Sequence, residues 1–445
     1  QNGKWNFDFI IEGFSDTTAQ SAPKDTSSGG WDFSLGDLNI NQLDFIYADR
    51  TTGDSVDVDL GKLILDMEEL NLEENRYLVE ELVLQNNDIY LHFAASSEST
   101  ESEETTSLPE LGLQNLSIEN TKLTMFLGDD LPYHFDVGRL LAQSESIDLN
   151  QNKYHLEEFG LYQTEIEIPL STGQSTDTAN AEDGETSVFA PIDAYLGEID
   201  LKSINVTAYN EKDTLHSLQS VNIEAANLRA NEEVYALELN QFSMDYNEFQ
   251  ELRELKGDFT LTSNESSIEN FLLKYGQSTI DLNANILYSN FNDLIENFRF
   301  GQINLNLNRA FIARSDIRNA YRRLNSDTLP LPRDDIQISL KANGDFKNIN
   351  LTSLRLQSGG TNLSLTAYTQ GDSVWPRNVN VPDFNLNIYR PDLEPFTEYL
   401  GVDTSMIPRS TVVNLSGSYL AERMEADMEV LTDFGNLYLE ASGDG

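Results

Sequence analysis

The sequence predicts an all-β fold, an elongated and repetitive antiparallel sheet with a few short helices, and three observations predict it. Apolar residues recur at period two: Val56, Val58 and Leu60 alternate with Asp57 and Asp59, and Ile303, Leu305 and Leu307 alternate with asparagines. The chain also repeats itself. GKLILDMEELNLEENRYLVEELVLQNNDIYL, from Gly61, returns without a gap as GRLLAQSESIDLNQNKYHLEEFGLYQTEIEI, from Gly138, a shift of 77 residues. Leu63 falls on Leu140, Leu72 on Leu149, Tyr77 on Tyr154 and Ile89 on Ile166, while the wet positions drift. Tandem units that bury their open ends against neighbours have this pattern. Thirdly, helical periodicity is confined to SDIRNAYRRLNS, from Ser315, and PDLEPFTEYLG, from Pro391, where Asp or Pro-Asp starts precede helix formers.

Taken in order, residues 1–30 read as the end of a preceding strand unit plus a polar linker. Repeat unit one covers 31–107, unit two 108–187 and a degenerate unit three 188–254. Each unit follows or contains a stretch too polar to pack, at Ser15, Ser96 and Ser171, and each opens on a similar strand: LNINQLDFIY, LSIENTKLTMF and IDLKSINVTAY. Within unit one five strands are expected, near Leu38 to Tyr47, Ser55 to Leu60, Lys62 to Leu70, Tyr77 to Leu84 and Asp88 to Phe93. A meander with an odd number of strands ends opposite its start, so a linker must cross back before the next copy. The polar stretches sit where those crossings are needed. From 255 to 445 the chain changes to a second repeat style, a Gly-containing strand, a bend, Leu-x-Leu and another strand, with short helices near 315–325 and 391–400.

Composition excludes several functions. With 75 acidic against 28 basic residues the formal charge is -47, so nucleic acid is not an expected partner, because Lys and Arg supply most of that affinity. Without cysteine there is no disulfide frame or thiolate metal site, and an oxidising compartment is permitted. No run approaches the roughly 18 apolar residues that span a bilayer. WNFDFII opens in mid-strand and LYLEASGDG closes on one, so a section of a longer chain is expected, with any anchor or export signal outside it.

An apolar sheet face has to be covered, and with so few helices the choices are a packed sandwich or a partly open trough. Alternation alone leaves both open. The segments WNFDF at Trp5, WDFSLGDLNINQLDFIYAD at Trp31, LGKLILDMEELNL, VGRLLAQSESIDL, YGQSTIDLNANILY, YRPDLEPF and DFGNLYLEASG resemble the AsmA-like family, and within it the TamB-type subunits of translocation and assembly modules. The resemblance covers most of the chain through degenerate alternations. It implies five-strand units with a crossing loop, curled into a taco-like hydrophobic groove. It further implies a Gram-negative periplasmic protein anchored to the inner membrane by a segment absent from this chain. Phospholipid is then the expected partner, with an outer-membrane barrel assembly protein of the TamA or BamA type engaged through other regions.

Catalysis is not expected. His92, His134, His155 and His216 lie far apart with no partner at metal-ligand spacing, and Asp57, Asp59 and Gly61 lack the remaining ligands of a calcium loop. No nucleophile elbow, phosphate loop or zinc-protease helix occurs, so neither a metal nor a cofactor is expected. The expected functional residues line the apolar face. In unit one they are Leu38, Ile40, Phe45, Tyr47, Val56, Val58, Leu63, Leu72, Leu82, Leu84, Ile89 and Leu91. In unit two they are Leu116, Ile118, Leu123, Met125, Phe135, Val137, Leu140, Leu149, Phe159, Leu161, Ile166 and Ile168. The function expected is passage of phospholipid acyl chains along this face between two membranes. Alternatives are a chaperone for outer-membrane barrels acting by strand augmentation, and an acidic adhesin for glycan or calcium.

Overall fold

In the computed structural model the described residues are 36–444, apart from 50, 72–75, 95–109, 129–130, 149–150, 171–191, 211–213, 248–249, 292–300, 324–329, 346, 372–377 and 421–422. The expected opening unit at 1–30 lies outside them.

Long strands fill the first part: β1 Leu38–Ala48, β2 Ser55–Asn71, β3 Arg76–Phe93, β4 Glu110–Leu127, β5 Tyr133–Asp148, β6 Lys153–Pro169, β7 Asp193–Tyr209, β8 Thr214–Ala230 and β9 Val234–Tyr246. The second part is built of shorter ones: β10 Gln250–Thr262, β11 Glu265–Tyr275, β12 Ser278–Leu287, β13 Gln302–Ile312, β14 Ile336–Gly344, β15 Ile349–Ser358, β16 Thr361–Gln370, β17 Asn378–Tyr389, β18 Ser410–Leu420, β19 Arg423–Thr432 and β20 Gly435–Asp444. Helix α1, Arg314–Arg323, separates β13 from β14, and α2, Arg390–Leu400, separates β17 from β18. Every strand pairs with the next in sequence, giving one 20-stranded sheet. The sheet is open, since β1 and β20 do not meet.

Each of the first units contributes three long strands, where five were expected. Ser55 to Leu60 and Lys62 to Leu70 are one strand, β2, and Tyr77 to Leu84 and Asp88 to Phe93 are one strand, β3. The count stays odd, and its consequence holds. β3 pairs in parallel with β4, and β6 with β7, so each of these units begins in the same direction as the one before it. All other pairings are antiparallel.

The apparent breaks inside β2 and β3 are a line of irregular residues crossing the sheet in register. Gln42, Gly61, Asn86, Asn120, Gly138, Gln163 and Ser203 stand side by side on β1 to β7, between hydrogen-bonded pairs. The five non-glycine members have φ of 59°, 56°, 47°, 50° and 58°. A left-handed residue uses a chain position without continuing the pleat, so the in-out alternation resumes beyond it with opposite parity, as at a bulge. The apolar positions change parity at the same line, from Ile40 to Phe45, Leu84 to Ile89, Ile118 to Leu123 and Leu161 to Ile166. The two reversals cancel, and the apolar residues stay on one face. Glycine is needed where the lines of two neighbouring strands crowd. A Cβ on Gly61 would lie 2.4 Å from the Asn86 carbonyl oxygen, and one on Gly138 2.6 Å from that of Gln163.

The second repeat style is a unit of four strands plus a helix: β10 to β13 with α1, then β14 to β17 with α2, then β18 to β20. An even count brings the chain back to its starting margin, so no crossing is required. Register shifts fall between Ile268 and Phe271, Leu307 and Ala310, Leu351 and Leu354, and Val381 and Phe384, which continues the crease as a bulge on every second strand. Both helices are tied to the margin in the same way. Asp316 accepts from the backbone N–H of Gln277 and Ser278 and from Ser278 Oγ, at 2.9, 2.9 and 2.6 Å. Asp392 accepts from Gly360 N, Thr361 N and Thr361 Oγ1, at 2.9, 2.8 and 2.8 Å. The same hydroxyls accept from Ala313 N and Tyr389 N, each at 3.0 Å. An Arg-x-Asp start thus latches each helix onto the hairpin turn two strands earlier.

Two outcomes test this arrangement. Asp392→Ala strands two turn N–H groups and a hydroxyl, and should cost on the order of 3 kcal/mol, read by denaturant unfolding. Gly61→Ala places a methyl against backbone and should cost about 2 kcal/mol, while Leu43→Ala, exposed beside the same line, should cost less.

Candidate functional site: the apolar face

The register turns scattered alternation into continuous rows. Ile40, Leu63, Leu84, Ile118, Leu140 and Leu161 are successive partners across β1 to β6. The row continues through Leu201, Ile223, Phe242, Leu255, Leu273 and Ile280 to Ala310. From there it passes through Ile338, Leu356, Leu363, Leu386, Val413 and Val430 to Leu437. All twenty strands contribute, and every residue is apolar. Across the crease a second row joins Phe45, Val58, Ile89, Leu123, Phe135 and Ile166, and runs on to Val206 and Leu218. A third joins Tyr47, Val56, Leu91 and Met125. A fourth contains Leu38, Leu82, Leu116 and Phe159, with Leu65 and Ala142 between them.

Twenty-two of the expected lining residues are therefore placed, and nearly all fall into four rows. Ile168 pairs with Ala208 on the same side of the crease. Val137 lies in the row next to the crease, between Thr121 and Thr164. Leu72 and Leu149 lie outside the described residues. Beyond unit two the sequence singles out no lining residues, although the alternation is equally regular there. Its phase slips at each bulge, and only the register shows which parity belongs to which face.

The row beside the crease is the most buried part of the sheet and is partly polar. Asn87 is 2% and Thr164 1% exposed, with Leu60 and Thr121 also buried. Asn87 accepts from Gly61 N at 3.1 Å and donates to Thr121 Oγ1 at 3.0 Å, and Thr164 Oγ1 donates to the Tyr162 carbonyl at 3.1 Å. These bonds satisfy groups that the crease would otherwise leave open.

Away from the crease the face is only half-buried, and Phe45 is 43% exposed. Among the described residues most side chains of this face stay half-buried, whereas a second sheet lying on it would bury them. That removes the sandwich, in which these side chains would be fully packed. The opposite face is wet: one of its rows reads Asn41, Lys62, Gln85, Glu119, Arg139 and Tyr162, another Asp44, Asp59, Asp88, Lys122, Asp136 and Glu165. Arg139 pairs with Glu119 and Lys122 with Asp136, each at 3.7 Å. Asp57 and Asp59 are exposed strand residues of this face.

The histidines have separate structural partners. His92 Nδ1 lies 3.2 Å from the Gly53 carbonyl, His134 Nδ1 3.1 Å from Thr124 Oγ1, His155 Nε2 3.2 Å from Asp193 and His216 Nδ1 2.6 Å from the Tyr246 hydroxyl. Among the described residues no group of His and carboxylates has metal-binding geometry. Burial, and then the bond it donates to Asp200 at 3.0 Å, pushes the Tyr162 hydroxyl up. The hydrogen bond from Lys274 holds the Glu254 carboxyl below its ordinary value, against a smaller opposing effect of burial, and Lys256 helps. A depressed carboxyl contributes stability above its unfolded pKa and loses it as pH falls through the folded value. The stability gap between wild type and Glu254→Gln should therefore be open at pH 7 and close on acidification below about 4.5, in thermal melts across that range.

Comparison with protein-family models, curated proteins and solved structures gave no match to this chain, so the role of the face has to be read from its own geometry.

Proposed function

We propose that this chain is a non-enzymatic conduit for phospholipid acyl chains, working in a Gram-negative periplasm between the inner and outer membranes. The observation that supports it is the apolar row through all twenty strands on an uncovered face. At about 4.8 Å per strand the row is roughly 90 Å long. Acyl chains need such continuity, because each CH₂ left in water costs about 0.8 kcal/mol, whereas headgroups can remain solvated beyond the rim. Half-exposed rows suit a track that must release what it holds. The compartment follows the AsmA-like resemblance of the sequence.

A second reading has one observation in its favour. Among the described residues β20 is exposed throughout and pairs on one side only, with β19 and without a bulge or proline, which suits addition of a further strand as in a barrel chaperone.

Native mass spectrometry on protein purified without detergent from a phospholipid-containing host tests the proposal. Phospholipid should co-purify, and Phe45→Asp or Leu123→Asp should reduce it several-fold while far-UV circular dichroism is unchanged. A lipid-free mass for the folded wild type would sink it. Loss of barrel-protein binding on Leu439→Pro, with lipid content unchanged, would favour the second reading.

A further inference from the structure

The two helix units provide an internal control. α1 and α2 start alike, with Arg314 and Asp316 matching Arg390 and Asp392, and dock by the same latch. Past the first turn the two helices differ. At the positions of Ala320 and Arg323 in α1, α2 carries Phe396 and Tyr399. With Leu400, Val402 and Met406 in the 3₁₀ turn Thr404–Met406 and its approach, these side chains face solvent. Met406 is 75% and Leu400 70% exposed, among the most exposed large apolar residues described. The next turn on the same margin, between β19 and β20, adds Phe434 at 66%. The turns are joined, since Arg409 N donates to Asp433 at 2.9 Å and Arg390 N to the Arg409 carbonyl at 3.0 Å. Neither packing nor docking of the helix requires these apolar groups, because α1 docks without them.

We infer that this tip, formed by α2, the 3₁₀ turn and Phe434, docks on the surface of a lipid bilayer by inserting apolar side chains among neutral headgroups. The inference rests on the conduit reading, which requires the track to open onto a lipid phase. Its place fits. Phe384, Leu386 and Ile388 carry the apolar face along β17 to the first residue of α2, so the tip extends that face past the end of the sheet. Its composition fits as well, aromatic and aliphatic side chains together, as in interfacial segments. Charge decides which lipid: residues 390–409 hold Asp392, Glu394, Glu398 and Asp403 against Arg390 and Arg409, so anionic headgroups offer no attraction.

The test is flotation of the whole chain with phosphatidylcholine vesicles. Wild type should float with the vesicles, equally at low and high salt and no better when anionic lipid is added. Leu400→Ser with Met406→Ser, both at exposed positions, should lower the floated fraction at least fivefold while co-purified phospholipid is unchanged. Phe45→Asp should do the reverse, and that contrast separates failure of the tip from failure of the conduit. Wild type that stays unbound, a double variant that floats like wild type, or binding that appears only with anionic lipid would overturn the inference.

Discussion

Everything in this sheet depends on resetting the in-out alternation in register. A strand of 17 or 18 residues, such as β2 or β3, cannot keep a strict period of two and still bend around a line at its middle. The left-handed residues and glycines of the crease absorb that bend, and because β1 to β7 each carry one at the same level, the ladder runs straight across them. Had one of these seven strands lacked its member, its outer half would have turned its apolar residues to water. Gly61 and Gly138 are thus as important to the apolar face as the leucines on it. The buried Asn87, Thr121 and Thr164 beside the line keep the displaced backbone groups bonded.

The two halves meet the same requirement with different arithmetic. Three strands per unit start the next unit in the same direction, which gives the parallel pairs β3 with β4 and β6 with β7. Four strands per unit need no return, and the chain spends the intervening residues on helices latched to the margin by Asp316 and Asp392. The apolar row passes from one style to the other between Phe242 and Leu255 without interruption. Two construction rules with one uninterrupted face suggest that the face, rather than any single unit, is what the architecture preserves.

Much of this was legible in the sequence. The period of two gave the strands, and the Asp starts near 315 and 391 gave the helices. Odd counting implied that successive units start in the same direction, as the parallel pairs β3 with β4 and β6 with β7 do. The strand number did not come out, because Gly61 and the Asn86–Asn87 pair carry the composition of turns, and a change of alternation phase looks the same whether the chain turns back or creases. The choice between a filled sandwich and an open face was out of reach of the alternation, since a leucine on a strand has the same neighbours in sequence whichever meets it, and only the family resemblance favoured the open face. The latches were hidden for a related reason: Asp392 marks a helix start, but its bonds go to Gly360 and Thr361 in a turn that only the sheet order brings near.

Occupation of one continuous face by acyl chains is tested most directly by photo-crosslinking, with a benzophenone side chain placed in turn at Leu84, Leu161, Leu273 and Leu386 of the apolar row and at Gln85, Tyr162 and Lys274 beside them. A lipid track predicts adducts at all four row positions and none at the neighbours. Adducts absent from the row, or equally frequent on both sets, would contradict it.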